Sequence, residues 1–225
     1  MTGETPAPVR VLLVDDDPLV RTGLRLMLRG ARDLEVVGEA DDGTGVVDAV
    51  ARLLPDVVLM DVRMPYLDGI AATRALTARG DGAPEVIVLT TFGDDANIVA
   101  ALRAGAAGFL LKHAGPDEIV DAVRRSAAGE PVLSPAVARR LIDRLTAPSA
   151  EGTRAAEARR RLAVLSQRER EVAAAVAEGL PNSEIAERLY MSVGSVKAHI
   201  SSALTKLDMS NRIQLAILAH DAADS

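Results

Sequence analysis

The chain has 225 residues, of which 48% are hydrophobic and 2% aromatic, so its cores must be built from Ala, Val, Leu and Ile. The absence of cysteine excludes disulfides, thiolate zinc sites and cysteine nucleophiles. The net charge of −6 arises in residues 1–150, which carry 16 Lys and Arg against 22 Asp and Glu, whereas residues 151–225 carry 10 of each. Net charge alone therefore does not indicate a nucleic-acid binder. No apolar run approaches the ~18 residues of a membrane span, and the N-terminus lacks a signal-peptide pattern, so we expect a cytoplasmic protein without a membrane partner.

The first part of the chain alternates five short apolar runs with five segments of helical spacing. We predict strands at residues 9–14, 34–40, 57–60, 85–89 and 108–111, and helices at 18–29, 44–54, 70–79, 96–104 and 116–128. The pair Asp17-Pro18 is typical of a helix N-terminus, with Asp as the N-cap. This alternation favours an α/β fold with a doubly wound parallel sheet, and five strands suit the order 2-1-3-4-5.

Polar residues follow four of the predicted strands: Asp15 and Asp16 the first, Asp61 the third, Thr90 the fourth and Lys112 the fifth. In the predicted order the first and third strands are neighbours, so the three carboxylates converge at one edge of the sheet. Their repulsion favours a bound cation, and oxygen ligands without His or Cys suit Mg²⁺. A hydroxyl and an ammonium beside such a site are what an aspartyl-phosphate needs. The alternative for Asp61 is a turn residue that only ends its strand.

Four segments, VLLVDDDP, VVLMDVRMP-x-LDG, VIVLTTF and GFLLK, resemble the receiver domain of bacterial response regulators in order and spacing across roughly residues 10–129. The resemblance implies a flavodoxin-like fold and Asp61 as the phosphoacceptor of a sensor histidine kinase. It also implies a Mg²⁺ site formed by Asp16, Asp61, the backbone carbonyl of Arg63 and, through water, Asp15. The rival interpretation is a phosphatase of the haloacid-dehalogenase type, which needs a second Asp two residues after its nucleophile, where this chain has Arg63.

The same resemblance implies that Thr90 and Lys112 contact the phosphoryl group. Phe109 falls where the family has a Tyr or Phe that changes rotamer on phosphorylation, although plain core packing predicts the same residue type. Because the acidic pair, Thr90 and Lys112 are all present, nothing in the sequence favours a receiver that works without phosphorylation.

The second part of the chain predicts a linker followed by four helices. The linker contains an amphipathic stretch at 136–145 and an Arg-rich segment at 154–161, which is either a solvated helix face or a phosphate contact. The sequence Ser166-Gln-Arg-Glu169 predicts a capping box at the start of the first helix. We place the helices at 166–178, 182–190, 192–207 and 211–220. A helix, a tight turn and a second helix indicate a DNA-binding motif, although a bundle that docks another protein has the same pattern.

The third of these helices has two contrasting faces. One is an apolar stripe formed by Val193, Val196, Ile200, Leu204 and Leu207. The other has small polar residues, one Lys and no acidic residue, which allows close approach to a DNA groove. The stretch LSQREREVAAAVAEGLPNSEIAERLYMSVGSVKAHISSALTKL resembles the LuxR-type DNA-binding domain. By that resemblance the candidates for contact with the major groove of promoter DNA are Lys197, Ala198, Ser201, Ser195 and His199.

Both resemblances together identify the chain as a member of the NarL/FixJ class of two-component transcriptional regulators. We predict a flexible tail at residues 1–8, a receiver domain at 9–130, a linker with a short helix at 131–162 and a smaller all-α helix-turn-helix domain at 163–225. Phosphorylation of Asp61 is expected to change the receiver and control homodimerisation and binding to paired half-sites, so we expect a regulator and not an enzyme. The closing helix, at 213–219, resembles the dimerisation element of the family, unless it only covers the three-helix core.

Overall fold

A computed structural model describes residues 7–79, 82–90, 95–133 and 151–223, with the backbone alone at 95, 96 and 151–154. The amphipathic stretch predicted at 136–145 and residues 1–6 of the predicted tail lie outside these ranges. Among the described residues, no helix combines the length and apolar character that crossing a bilayer requires.

A parallel sheet forms the centre of the first domain. The strands are β1 Val9–Val14, β2 Leu34–Ala40, β3 Val57–Asp61, β4 Glu85–Thr90, β5 Gly108–Leu111 and β6 Val132–Leu133. Their order, β2-β1-β3-β4-β5-β6, confirms the predicted 2-1-3-4-5 arrangement but adds a sixth strand to the five expected. The additional strand has two residues, paired with Gly108 and Phe109, and is too short to produce an apolar pattern in the sequence. It extends the sheet beyond residue 130, where we had ended the domain.

Helices cover both faces of this sheet. They are α1 Pro18–Arg29, α2 Val46–Leu53 after a 3-10 turn at Gly43–Gly45, α3 Gly69–Thr77, α4 Asp95–Arg103 and α5 Pro116–Ala127. One hydrophobic cluster joins the sheet to α2, α3 and α4, and another joins the opposite face to α1 and α5. Every residue of β3 is buried between them, as its continuous apolar sequence predicted. Asp17 is the N-cap of α1, because its carboxylate accepts a hydrogen bond from the backbone N–H of Leu19 at 2.8 Å.

The second domain is all helical. It contains α6 Glu151–Leu162, α7 Gln167–Ala177, α8 Asn182–Arg188, α9 Val193–Leu207 and α10 Arg212–Ala223. The predicted capping box at Ser166 and Glu169 is present. Ala158 of α6 belongs to the core of this domain, so a helix that we had assigned to the linker packs with it. The apolar stripe predicted on this helix is not buried along its whole length: Val193, the first residue of α9, is 43% exposed, whereas Val196, Ile200, Ala203 and Leu207 are buried.

Candidate functional site

The carboxyl ends of β1 and β3 bring three carboxylates together at one edge of the sheet. The two strands are paired with Val14 opposite Met60, so Asp15 and Asp61 follow at the same level. Asp15 and Asp61 are buried and Asp16 is exposed, and ligand oxygens of the three lie within 4.8 Å of one another. Burial raises the pKa of Asp61, and the charge of Asp15 adds to this rise against the opposing effect of Lys112.

Lys112 bridges the two buried carboxylates from the end of β5. Its Nζ lies 2.8 Å from Asp15 Oδ2 and 2.9 Å from Asp61 Oδ2. Burial alone would lower the pKa of Lys112, but hydrogen bonds and charges from the two carboxylates outweigh it and raise the pKa. The ammonium therefore stays charged. The backbone N–H of Lys112 donates to the carbonyl of Thr90 at 2.8 Å, which sets these two residues side by side.

The side chains at these strand ends line an open cleft of about 320 Å³. Its lining consists of Asp16, Asp17, Asp61, Val62, Arg63, Thr90 and Lys112. The backbone N–H of Arg63 donates a hydrogen bond to the Asp61 carboxylate, while the Arg63 side chain is exposed at the rim. Four carboxylates, those of Asp15, Asp16, Asp17 and Asp61, outnumber the cations of Lys112 and Arg63 here, and the three that cluster offer hard oxygen donors. This donor set fits a small divalent cation such as Mg²⁺.

Two residues that sequence reasoning did not assign to the site hold the loop after Asp61. Asp42 accepts hydrogen bonds from the backbone N–H groups of Tyr66 and Leu67, at 2.9 and 3.3 Å, and these bonds lower its pKa although burial opposes them. Gly69 lies so close to Asp61 that a Cβ on it would stand 1.8 Å from the Asp61 carbonyl oxygen. The sequence contains no local signal for the Asp42 contact, because Asp42 and Tyr66 are 24 residues apart. Gly69 ends the segment VVLMDVRMP-x-LDG, but its close approach to Asp61 cannot be read from that segment.

Phe109 is completely buried in β5. It shares a hydrophobic cluster with Ala101 and Leu102 of α4 and with Ile213 of the second domain. Its burial agrees with simple core packing, and it also connects the sheet beside Thr90 to the boundary between the domains.

The candidate DNA-binding residues lie on α9. His199 is half-buried, and the other four, Ser195, Lys197, Ala198 and Ser201, are exposed. The N-cap Ser192 accepts a hydrogen bond from the backbone N–H of Ser195 at 3.0 Å, so this end of the helix is well ordered by local bonds.

The first domain faces part of this surface of α9. Lys197 and Ser201 line a cleft of about 190 Å³ between the domains, opposite Glu85 and Gly129. Burial raises the pKa of Glu85, and the positive charge of Lys197 opposes that rise. A cleft of this size is too small for a DNA duplex. Since α9 must enter the major groove to bind DNA, the receiver obstructs that contact in this arrangement.

Comparison with known proteins agrees with this architecture. Residues 11–124 match the family model described as response regulator receiver domain, and residues 163–219 match that of bacterial regulatory proteins, luxR family. The transcriptional regulatory protein LiaR of Bacillus subtilis is 42% identical over 212 residues, which cover 94% of this chain and 97% of LiaR. The nitrate/nitrite response regulator protein NarL of Escherichia coli is 34% identical over 213 residues, 95% of both chains.

Solved structures of similar proteins cover nearly the whole chain as well. The response regulator ChrA of a heme-sensing two-component system is 38% identical, with a TM-score of 0.53 over 95% of this chain and 96% of ChrA. RcsB, in a structure of two dimers bound to two parallel DNAs, is 28% identical with a TM-score of 0.55, over 96% of this chain and 99% of that one. The chain therefore belongs to the response regulators that join a receiver domain to a LuxR-type helix-turn-helix domain. It is a phosphorylation-dependent, DNA-binding transcription regulator of a two-component system and not an enzyme.

Proposed function

We propose that Asp61 accepts a phosphoryl group from the phosphohistidine of a sensor histidine kinase. The observation that carries this assignment is the ammonium of Lys112, 2.9 Å from Asp61 Oδ2 inside an open cleft. In the transfer, a carboxylate oxygen of Asp61 forms the new P–O bond while the P–N bond to the kinase histidine breaks. The electron pair and a proton stay with the departing imidazole. The cleft is open to solvent, which gives the donor an approach to Asp61.

The cleft would hold Mg²⁺ through Asp16, Asp61 and the backbone carbonyl of Arg63, with Asp15 acting through water. When bound, the cation neutralises charge on the phosphoryl oxygens. The chain supplies the remaining contacts: Lys112 offers an ammonium to one phosphoryl oxygen, and the Thr90 hydroxyl offers a hydrogen bond to another.

The phosphoryl group would compete with the carboxylates of Asp15 and Asp61 for the ammonium of Lys112. In the unphosphorylated site Lys112 is held by Asp15 and Asp61 together, so a new anion on Asp61 changes where its charge is satisfied. We propose that Thr90 moves toward the phosphoryl group and that Phe109, in the adjacent strand, changes rotamer with it. A change in Phe109 would alter the cluster that contains α4 and Ile213.

In the second domain, α9 would enter the major groove of promoter DNA. The proposed contacts are those of Lys197, Ala198 and Ser201, supported by Ser195 and His199 at the flanks of the same face. The side chains of Lys197 and Ser201 face the receiver across the 190 Å³ cleft, which supports the interpretation that this arrangement is the resting, closed state. Phosphorylation would shift the equilibrium toward an open state in which α9 is accessible.

The open state would also expose a surface of α10. Leu215 and Leu218 of this helix belong to the core of the second domain, whereas Ile213 packs with α4 of the receiver and Ile217 lies half-buried against the same cluster. The helix therefore covers the domain core with one face and has a second apolar face. We propose that this second face pairs with another copy of the chain, so that a phosphorylated homodimer reads paired half-sites.

The test is phosphorylation by acetyl phosphate with Mg²⁺, followed by intact-mass and size measurement. Asp61→Asn is nearly isosteric and should abolish the acid-labile phosphate, the increase in size and the gain in DNA binding. The matched control is Asp68→Asn, because Asp68 is the N-cap of α3 and Asn is an equally good cap. Full labelling of the Asp61→Asn variant would disprove the assignment, and loss of labelling in the control would show that the Asp-to-Asn change acts through folding.

A further inference from the structure

Asn211 occupies an unusual position between the two domains, because its side chain caps two helices at once. Its Oδ1 accepts a hydrogen bond from the backbone N–H of Gln214 at 2.8 Å, as an N-cap of α10 does. Its Nδ2 donates to the carbonyl of Leu102 in the last turn of α4, at 2.7 Å, and to that of Ala106 in the loop that follows, at 2.9 Å. The residue is only 5% exposed. One amide therefore stabilises a helix start in the DNA-binding domain and a helix end in the receiver.

Gln214 repeats this division of roles one turn later. Its Nε2 donates to the same carbonyl of Leu102 at 2.7 Å, while its Oε1 accepts from the backbone N–H of Ser210 at 3.2 Å. We name the two side chains, Asn211 and Gln214, the amide clasp. In both, the oxygen serves the DNA-binding domain and the nitrogen serves the receiver.

A second set of contacts lies beside the amide clasp at the carboxyl end of α5. Asn182 donates to the carbonyl of Ala128 at 3.0 Å, and Arg212 donates to that of Gly129 at 3.2 Å and to the side chain of Asn182. Burial lowers the pKa of Arg212, and its Nε has no hydrogen-bond partner among the described residues. The bonds to Ala128 and Gly129 therefore also join the second domain to the end of α5.

The amide clasp holds a helix that packs in one hydrophobic cluster with the switch residue Phe109. α4 begins five residues after Thr90, and its Leu102 shares a cluster with Phe109 and Ile213. On the basis of the function proposed above, we propose that Asn211 and Gln214 are the positioning residues that keep the DNA-binding surface closed, by binding the carboxyl end of α4. A shift of α4 would break two hydrogen bonds to the second domain together, since Asn211 and Gln214 both donate to the carbonyl of Leu102 in its last turn, and it would disturb the third, which ends on Ala106 three residues after the helix.

In both clasp side chains the oxygen bonds to the DNA-binding domain and the nitrogen to the receiver, so an amide-to-carboxylate change can remove the receiver contacts alone. Asn211→Asp keeps the acceptor that caps α10, and Asp is as good an N-cap as Asn. The same change replaces two donated hydrogen bonds by a carboxylate facing carbonyls at the negative end of the α4 dipole. Gln214→Glu likewise keeps the acceptor for Ser210 and loses the donor for Leu102. The matched control is Gln167→Glu, which makes the same amide-to-carboxylate change at an exposed position on α7.

Two measurements on the full-length, unphosphorylated protein decide the proposal. The first is hydrogen exchange of peptides covering residues 101–107 and 210–216, which reports opening without DNA. The second is affinity for a duplex enriched from a random-sequence library by the phosphorylated wild-type protein. Both clasp variants should exchange faster in the two peptides and bind the duplex about 10- to 100-fold more tightly than unphosphorylated wild type. Asn211→Asp replaces two donated hydrogen bonds by repulsion, and Gln214→Glu replaces one. The control should behave as wild type in both measurements.

Unchanged exchange and affinity in both clasp variants would overturn the proposal. If Asn211→Asp unfolds the second domain, which would be seen as the loss of a melting transition, the same two measurements on Gln214→Glu still test the proposal. If the phosphorylated wild type fails to enrich any duplex, the proposed function is wrong, but the exchange measurement still shows whether the amide clasp closes the two domains.

Discussion

Gly69→Ala tests whether the close backbone contact between Gly69 and Asp61 is needed for phosphorylation. Gly69 is the first residue of α3, and its N–H donates to the carbonyl of Val62 at 2.9 Å. A Cβ at this position would lie 1.8 Å from the carbonyl oxygen of Asp61 and 3.0 Å from Cγ of Met60. Non-bonded heavy atoms reach their best separation at roughly 3.5 Å, so the backbone of β3 or the start of α3 must move by more than about 1 Å.

The displacement acts directly on the residue that receives the phosphoryl group. An in-line attack tolerates little error, and a misplacement of about 1 Å can lower a rate on the order of 10²-fold. Overpacking of this kind also lowers the free energy of unfolding by about 1–3 kcal/mol. We therefore expect Gly69→Ala to fold at room temperature, to melt earlier than wild type, and to incorporate phosphate from acetyl phosphate about 100-fold more slowly.

The control is Gly23→Ala, because a Cβ at Gly23 within α1 meets no atom within 4 Å. Alanine in a helix interior is favoured over glycine by roughly 0.5–1 kcal/mol, so this variant should melt later and phosphorylate normally. Urea unfolding and time courses of phosphate incorporation measure both quantities. A Gly69→Ala protein with wild-type stability and rate would refute the argument that this close contact positions Asp61.

Three further predictions concern single charged residues. Lys112→Ala leaves two buried carboxylates without their ammonium, so we expect roughly 3 kcal/mol lower stability in EDTA, partial recovery with Mg²⁺, and residual phosphorylation that no longer promotes DNA binding. Equal stability in EDTA would show that the ion pairs contribute little. Lys197→Ala in the phosphorylated protein should weaken DNA binding and lower the log–log salt slope by about 1 if Lys197 contacts phosphate, and an unchanged affinity and slope would remove this residue from the interface. Glu169 accepts hydrogen bonds from Ser202 and Lys206, which lower its pKa from 4.5 to about 2. Because its folded pKa is depressed, its contribution is complete above pH 4.5 and is lost as pH falls toward 2. In that window Glu169→Gln should show a smaller loss of stability with acid than wild type, by about 1–3 kcal/mol, and equal pH profiles would contradict the ion pair.

The sequence by itself determined most of the receiver. Apolar runs of strand length, separated by capped amphipathic helices, lead to a parallel sheet, and a parallel sheet gathers its strand ends at one edge. Asp15, Asp61, Thr90 and Lys112 could therefore be grouped before their distances were known. The caps at Asp17 and Ser166 were equally readable, since the bonds that they make are only two or three residues long.

Contacts between residues that follow no periodic pattern in the sequence were decided by the tertiary structure. Hydrophobic periodicity predicts which face of a helix is buried, but it does not predict how far burial extends toward the helix end. Val193 therefore fell on the predicted apolar stripe although it is exposed. Asp42 acts on the loop after Asp61 from a separate strand–helix unit, and the close contact of Gly69 with Asp61 depends on how that loop folds back.

The junction between the domains depends on tertiary structure even more. It includes side-chain hydrogen bonds to backbone carbonyls at or just after helix ends, and Asn211 bonds to Leu102 across 109 positions of the chain. Asn, Gln and Arg are common on protein surfaces, so their presence does not indicate a contact. Every residue has a backbone carbonyl, so the sequence cannot show which carbonyls accept these bonds. The chemistry of the phosphorylation site could thus be predicted from residue types at strand ends, whereas the closed arrangement of its two domains became visible only in three dimensions.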